Sequence, residues 1–160
     1  MPDDHEYFRN LVDSRQIRTS ARAIIFSPDK ELVLVEKNLG TEDQYHNFIG
    51  GGVELGETFE AAMRREITEE TDANVIRIEY LFVLENFIDY KGDLTHSIEH
   101  YFELELDRQE VLPANNGIEF VWLPVDELAG VDLRPHAVRD LIVEGPFRST
   151  RHLVSRDVRS

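Results

Sequence analysis

Three carboxylates stand at the spacing that gathers them on one side of a helix: Glu66, Glu69 and Glu70, at i, i+3 and i+4. Like charges so placed repel one another, and a surface helix usually relieves them with basic neighbours at matching positions. Arg65 is adjacent and is expected to point elsewhere, while Phe59, Ala62 and Met63 surround the acids. A hard divalent cation resolves the conflict, since Mg²⁺ accepts carboxylate oxygens, keeps some of its waters and bridges to phosphate oxygens. A solvated acidic helix face is the competing reading, and these three residues alone leave both open. The glycines add weight to the first. Gly50, Gly51, Gly52 and Gly56 are four in seven residues, followed at once by the helix. Such a run is costly to order unless the chain turns tightly or a ligand must come close. A glycine-rich loop feeding a helix N-terminus also offers backbone N–H groups to anions. No Gly-Lys-Ser/Thr follows, and the glycine spacing does not fit a dinucleotide fingerprint.

These residues need elements to hold them. Thr58 to about Thr71 is the clearest helix, with Thr58 as N-cap and Ala61 and Ala62 favouring helix behind it. Ile17–Phe26 and Leu32–Val35 read as strands joined by the turn Ser27-Pro28-Asp29-Lys30, a β-hairpin. Thr41–Asn47 is a polar loop leading through Phe48-Ile49 to the glycines. Val75–Phe87 is extended, as two strands or one bent one, and Ile88–Ser97 is a loop or hairpin tip. Ile98–Leu106 alternates as a half-buried strand, with His100 on the inward face and Glu99, Tyr101, Glu103 and Glu105 on the outward one. Ile118–Leu123 is a further strand, Pro124–Leu128 opens a short helix, and His136–Val143 is a helix stopped by Gly145-Pro146.

Composition excludes several classes. The chain has 160 residues, enough for one domain with a substantial core. Its net charge of −15 argues against a nucleic-acid polymer or an anionic membrane as partner. The absence of Cys removes thiolate metal sites, cysteine nucleophiles and disulfides. The acidic start and the lack of any long apolar run make a cytoplasmic location the expectation. Arg148, Arg151, Arg156 and Arg159 stand against one acid, Asp157, in a basic tail at 146–160, expected to pack on an acidic surface, to contact a partner subunit or to fray into solvent.

The stretch Gly51-x5-Glu57-x7-Arg65-Glu66-Ile67-x-Glu69-Glu70 resembles the Nudix box, with Asp72 and Ala73 at its last two positions. The resemblance implies an α/β fold, an α/β/α sandwich with a mixed, partly antiparallel sheet over about 17–145, between an N-terminal arm at 1–16 and the tail. It implies Mg²⁺-dependent hydrolysis, with Mn²⁺ as substitute, of a diphosphate linkage in a nucleoside diphosphate derivative: a nucleoside triphosphate, nucleotide sugar or dinucleoside polyphosphate. Water activated by metal would attack one phosphorus. Glu69 and Glu70 are then the principal metal ligands, Glu66 a further ligand or water-orienting group, and Glu54 an outer ligand. Arg65 anchors the helix to the preceding loop through Glu57, and Gly51 and Gly52 let the chain pass close to metal or substrate. Glu99, Glu119 and Glu66 are the general-base candidates. Phe48 and Tyr90 are candidates for stacking on a base, along with Tyr45, Phe87 and Trp122; core packing explains Phe48 and Trp122 equally well. Asp72, where the family has Gly, is expected in a left-handed turn. The expected partner is a small nucleotide-type molecule, with a homodimer as the default assembly. A catalytically silent nucleotide-binding or regulatory module is the alternative, weakened by the intact acidic helix.

Overall fold

The structure, a computed structural model, describes residues 15–39, 44–145 and 147–159. The expected N-terminal arm at 1–16 falls almost wholly outside them. Alternating side chains on the first strand, β1 (Arg18–Phe26), separate two cores. Ala21, Ala23 and Ile25 face one way, and Ile24 the other. The turn at Ser27–Lys30 closes with Ser27 N donating to Leu32 O and Lys30 N to Ser27 O, and leads into β2 (Leu32–Asn38) as expected. Strands β3 (His46–Asn47) and β4 (Gly50–Gly52) follow, then helix α1 (Phe59–Glu70). Strands β5 (Val75–Tyr90) and β6 (Asp93–Leu106) form a long hairpin. After it come β7 (Ile118–Pro124), a 3₁₀ turn at Val125–Gly130, β8 (Leu133–Arg134), helix α2 (His136–Glu144) and β9 (His152–Arg159).

The nine strands make one mixed sheet, ordered β8-β3-β2-β1-β6-β5-β9, with β4 also paired to β1 and β7 to β2. One face carries α1, whose Ala62, Met63 and Ile67 pack on Ala21, Ile25, Leu34, Phe102 and Leu104. The other carries α2, whose Val138 and Ile142 join Ile24, Val33, Val35, Phe82 and Tyr101. This is an α/β/α sandwich. Strand β7 pairs along the whole of β2, so β1 and β3 share the other edge of β2: β1 at Val33 and Leu34, β3 at Glu36 and Lys37. The sheet therefore splits between them.

Several expectations change. Of the two readings of 75–87, the single bent strand is the one present, bent by register shifts at Val75/Arg77 and Tyr80/Phe82, and it runs on to Tyr90. The loop expected at 88–97 shrinks to Lys91-Gly92, both at positive φ, the two-residue turn whose twist suits a hairpin. Strand β6 is not half-buried: Glu99, His100, Tyr101, Phe102, Glu103 and Leu104 are all buried, because the strand lies mid-sheet between two helical layers. Within the basic tail, the described residues 147–159 are not frayed, because His152–Arg159 pairs in parallel with Val83–Tyr90. Asp72 is also outside the left-handed region, where the non-glycine residues among those described are Arg15, Lys30 and Lys91. Thr71 ends α1 in extended geometry, and Asp72 Oδ1 accepts from Leu112 N at 2.9 Å. A loop from elsewhere in the chain, rather than a tight turn, closes the helix.

Candidate active site

Helix α1 starts at the N-cap Thr58, whose Oγ1 accepts from Ala61 N at 3.1 Å. Its inward stripe is Ala62, Met63, Glu66 and Ile67, so a carboxylate is buried within an apolar row. Glu66 lies over β4. A Cβ built on Gly51 would sit under 3.0 Å from its carboxylate, so any side chain there would have to displace that group. Gly50, at φ +151, would drive a Cβ into the Ala21 backbone. Gly52 faces the opposite side of the sheet, towards Arg18.

Arg65 does not point away from the acids, as the sequence suggested. Its planar fork reaches several at once. Nε donates to Glu57 Oε1 at 2.6 Å and Nη2 to Glu57 Oε2 at 3.0 Å, a bidentate pair. Nη2 also donates to Gly52 O at 2.9 Å. Nη1 donates to Glu66 Oε1 at 2.9 Å and to Glu69 Oε2 at 3.1 Å. The Glu57 pairing, then Glu66, raises the guanidinium pKa, and Glu57 is lowered in turn by Arg65. The expected Arg65–Glu57 pair is thus present, and it ties helix to loop. Glu54 and Glu69 are more than half exposed, with Glu54 3.9 Å from Arg65.

Deeper in, relief is incomplete. Burial first, then the charges of Glu36 and Glu66, pushes Glu70 up to about 8. Burial pushes Glu36 up to about 7, against the pull of Arg22. Glu70 Oε2 and Glu36 Oε2 are both shut off from solvent without a hydrogen-bond donor. Arg22 lies in the split of the sheet, its Nη1 donating to Phe48 O at 3.3 Å and Gly50 O at 3.1 Å. Glu36 and Arg22 escaped the sequence reading. The signal for Glu36 was there in alternation, since it follows the core residue Leu34 by two positions.

Among the described residues, no three His, Asp or Glu side chains are already gathered as a cage for a metal ion. The donors near α1 nonetheless fit one chemically. Glu66 and Glu70 offer hard oxygens, and Glu70 Oε2 lacks any donor.

The general-base candidates outside α1 are not brought to it. Glu99 pairs with Ser20 and Glu119 with Lys37, positions one residue out of phase with the helix-facing Ala21 and Glu36. Glu99 is buried on the opposite face, accepting from Tyr101 OH at 2.8 Å, Asn86 Nδ2 at 3.1 Å and Ser97 Oγ at 3.1 Å. Phe48 is a core residue, edge-on to Tyr101 with ring centroids 5.6 Å apart. Tyr90 ends β5, paired with Asp93 and Arg159.

An α/β/α sandwich with an acidic helix laid over a glycine strand is the architecture that the resemblance to the Nudix box implied. The family model described as NUDIX domain matches residues 16–142, and the chain belongs to the Nudix family. It is 37% identical over 82 residues to an uncharacterized Nudix hydrolase of Nostoc sp., a match covering 50% of this chain and 46% of that protein. The match thus spans about half the length of that curated relative. Among solved structures, the MutT protein of Bacillus halodurans superposes with a TM-score of 0.66 at 20% identity, covering 88% of each chain. The MutT Nudix hydrolase of Burkholderia pseudomallei gives 0.64 at 22% identity, covering 84% of this chain and 99% of that one. At these identities the likeness is one of fold. No helix among the described residues is long and apolar enough to cross a membrane.

Proposed function

We propose that this chain hydrolyses a diphosphate linkage in a nucleoside diphosphate derivative, a nucleoside triphosphate, nucleotide sugar or dinucleoside polyphosphate, with Mg²⁺ or Mn²⁺. The observation that carries the reading is the Glu66–Glu70 pair, held under α1 with a carboxylate oxygen that has no donor. Glu66 and Glu70 would hold the cation, joined by Glu69 on release from Arg65. Bound there, a divalent cation neutralises phosphate oxygens and lowers the pKa of a water. The chain's own residues do the rest. Arg65 fixes the helix to Glu57 and to Gly52 O, so the carboxylates keep their places relative to the glycine strand. Gly51, without a Cβ, keeps the wall beside Glu66 open.

The test is a panel of nucleoside triphosphates, nucleotide sugars and dinucleoside polyphosphates with purified protein and either metal. Divalent-dependent release of nucleoside monophosphate or phosphate is expected, with kcat reduced about 100-fold or more in Glu70→Gln and in Glu69→Gln. Unchanged turnover in both variants rejects the metal assignment. Tight nucleotide binding with no turnover across the panel makes the chain a silent binding module instead.

A further inference from the structure

The acidic helix does not account for every carboxylate beneath it. Glu36 belongs to β2, outside the helix and its glycine loop. Its register opposite Asn47 and Phe120, two residues after Leu34, puts it on the face that α1 covers. There Leu34 packs in one cluster with Met63 and Ile67, and Glu36 and Glu70 lie one step further along strand and helix. Each has an Oε2 out of contact with solvent and without a hydrogen-bond partner.

A buried acceptor of this kind costs the full desolvation of the group unless something meets it. Arg22 is the cation whose charge acts on Glu36, but its Nη1 is directed at the carbonyls of Phe48 and Gly50. Arg65 is turned to Glu57, Glu66 and Glu69. Neither cation donates to the Oε2 of Glu36 or of Glu70.

We propose that Glu36, supplied by strand β2, is a further carboxylate of the cation site, facing Glu70 where the sheet splits. The inference rests on the metal-dependent reading above. It makes the site two-sided, with the helix providing Glu66 and Glu70 from above and the strand providing Glu36 from the sheet. Arg22 then has a positioning part, holding β4 by the Gly50 carbonyl and limiting the negative charge beneath the site.

Glu36→Gln separates this from a purely structural role. The probe is Mn²⁺ alone, followed by titration calorimetry and by the rise in Tm that the metal produces. If Glu36 holds the cation, the metal-free Tm of E36Q stays level or rises, because a repelling charge has gone. Its affinity for Mn²⁺ falls by about 10-fold or more, and the metal-induced rise in Tm shrinks with it. If Glu36 serves only as the counter-charge of Arg22, the metal-free Tm falls, up to failure to fold, and the proposal is overturned. Wild-type affinity for Mn²⁺ in E36Q overturns it too, leaving the function proposed above untouched. A wild-type protein that gives no response to Mn²⁺ removes that function reading, and this inference with it.

Discussion

Arg65 and Gly51 set the local geometry of the acidic helix by opposite means. Arg65 gathers Glu57, Glu66, Glu69 and the Gly52 carbonyl around one planar fork, whereas Gly51 acts by having nothing at Cβ. Gly51→Ala tests the second. Its methyl would enter the space of the Glu66 carboxylate, which is buried in the α1 stripe and cannot swing into solvent without leaving it. The expected result is a loss of about 1–3 kcal/mol in urea unfolding, the usual range for overpacking, with kcat falling further than KM changes. Wild-type turnover in the G51A variant would show that the Glu66 position is not critical. At this scale the sequence was readable wherever spacing along one helix decided the matter. Glu66, Glu69, Glu70 and the Arg65–Glu57 pair follow from i, i+4 geometry and the box. Glu36 and Arg22 do not, because their meeting with α1 depends on where β1 and β2 part company, a long-range fact of the sheet. Arg65's turn towards Glu69 was also missed, since a flexible side chain's choice among several acids is not written in spacing.

The α1 helix is a compromise between burial and charge. Its apolar contacts are few, chiefly Ala62, Met63 and Ile67, and all three are essentially inaccessible. Met63 therefore carries much of the attachment, and Met63→Ala should cost about 2–5 kcal/mol, read from chemical denaturation. Thr58→Ala removes the cap on the Ala61 amide and should cost about 1 kcal/mol. If the helix is held mainly by Arg65 instead, Met63→Ala will cost less than Thr58→Ala, reversing that order. Elements of local character were the ones legible in sequence: the turn at Ser27–Lys30, the capped helix, and α2 ended by Gly145. The errors came where context overrides pattern. The alternation at 98–106 reads as one wet face, yet Glu99 and Glu103 are buried because α2 and the C-terminal segment cover that face. At 75–87 the sequence left two strands or one bent one open, and the two register shifts within β5 decide for the bent one.

Besides the pairing of β9 with β5, one buried carboxylate ties the chain's C-terminal segment to the rest of the molecule. Glu103, on the central strand β6, is only 3% exposed and has cations on two sides. Lys30 Nζ, from the β1–β2 turn, donates to its Oε1 at 2.8 Å, and Arg148 Nη2, from a 3₁₀ turn at Phe147–Ser149, donates to the same oxygen at 2.8 Å. The basic tail thus meets an acidic partner inside its own chain. Burial alone would raise the Glu103 pKa, but the hydrogen bonds from Lys30 and Arg148 outweigh it and leave the group below its usual value. A carboxylate depressed in the folded state contributes stability that is complete above its unfolded value, about 4.3 for Glu, and is lost as pH falls through the folded value. The contribution of Glu103, read as the difference in Tm between the wild type and its Gln variant across pH, should accordingly be whole near neutrality and shrink below about pH 4. Glu103→Gln removes the anion but keeps the shape. Lys30 and Arg148 are each about half exposed and can turn to water, so the loss at neutral pH should be about 1–3 kcal/mol, below the figure for fully buried pairs. The variant's stability should also fall less steeply in acid, and amide exchange in β9 should quicken more than in β1. An E103Q variant with the wild-type acid profile and a β9 as protected as before would mean that strand pairing with β5, not this three-way contact, holds the C-terminal segment in place.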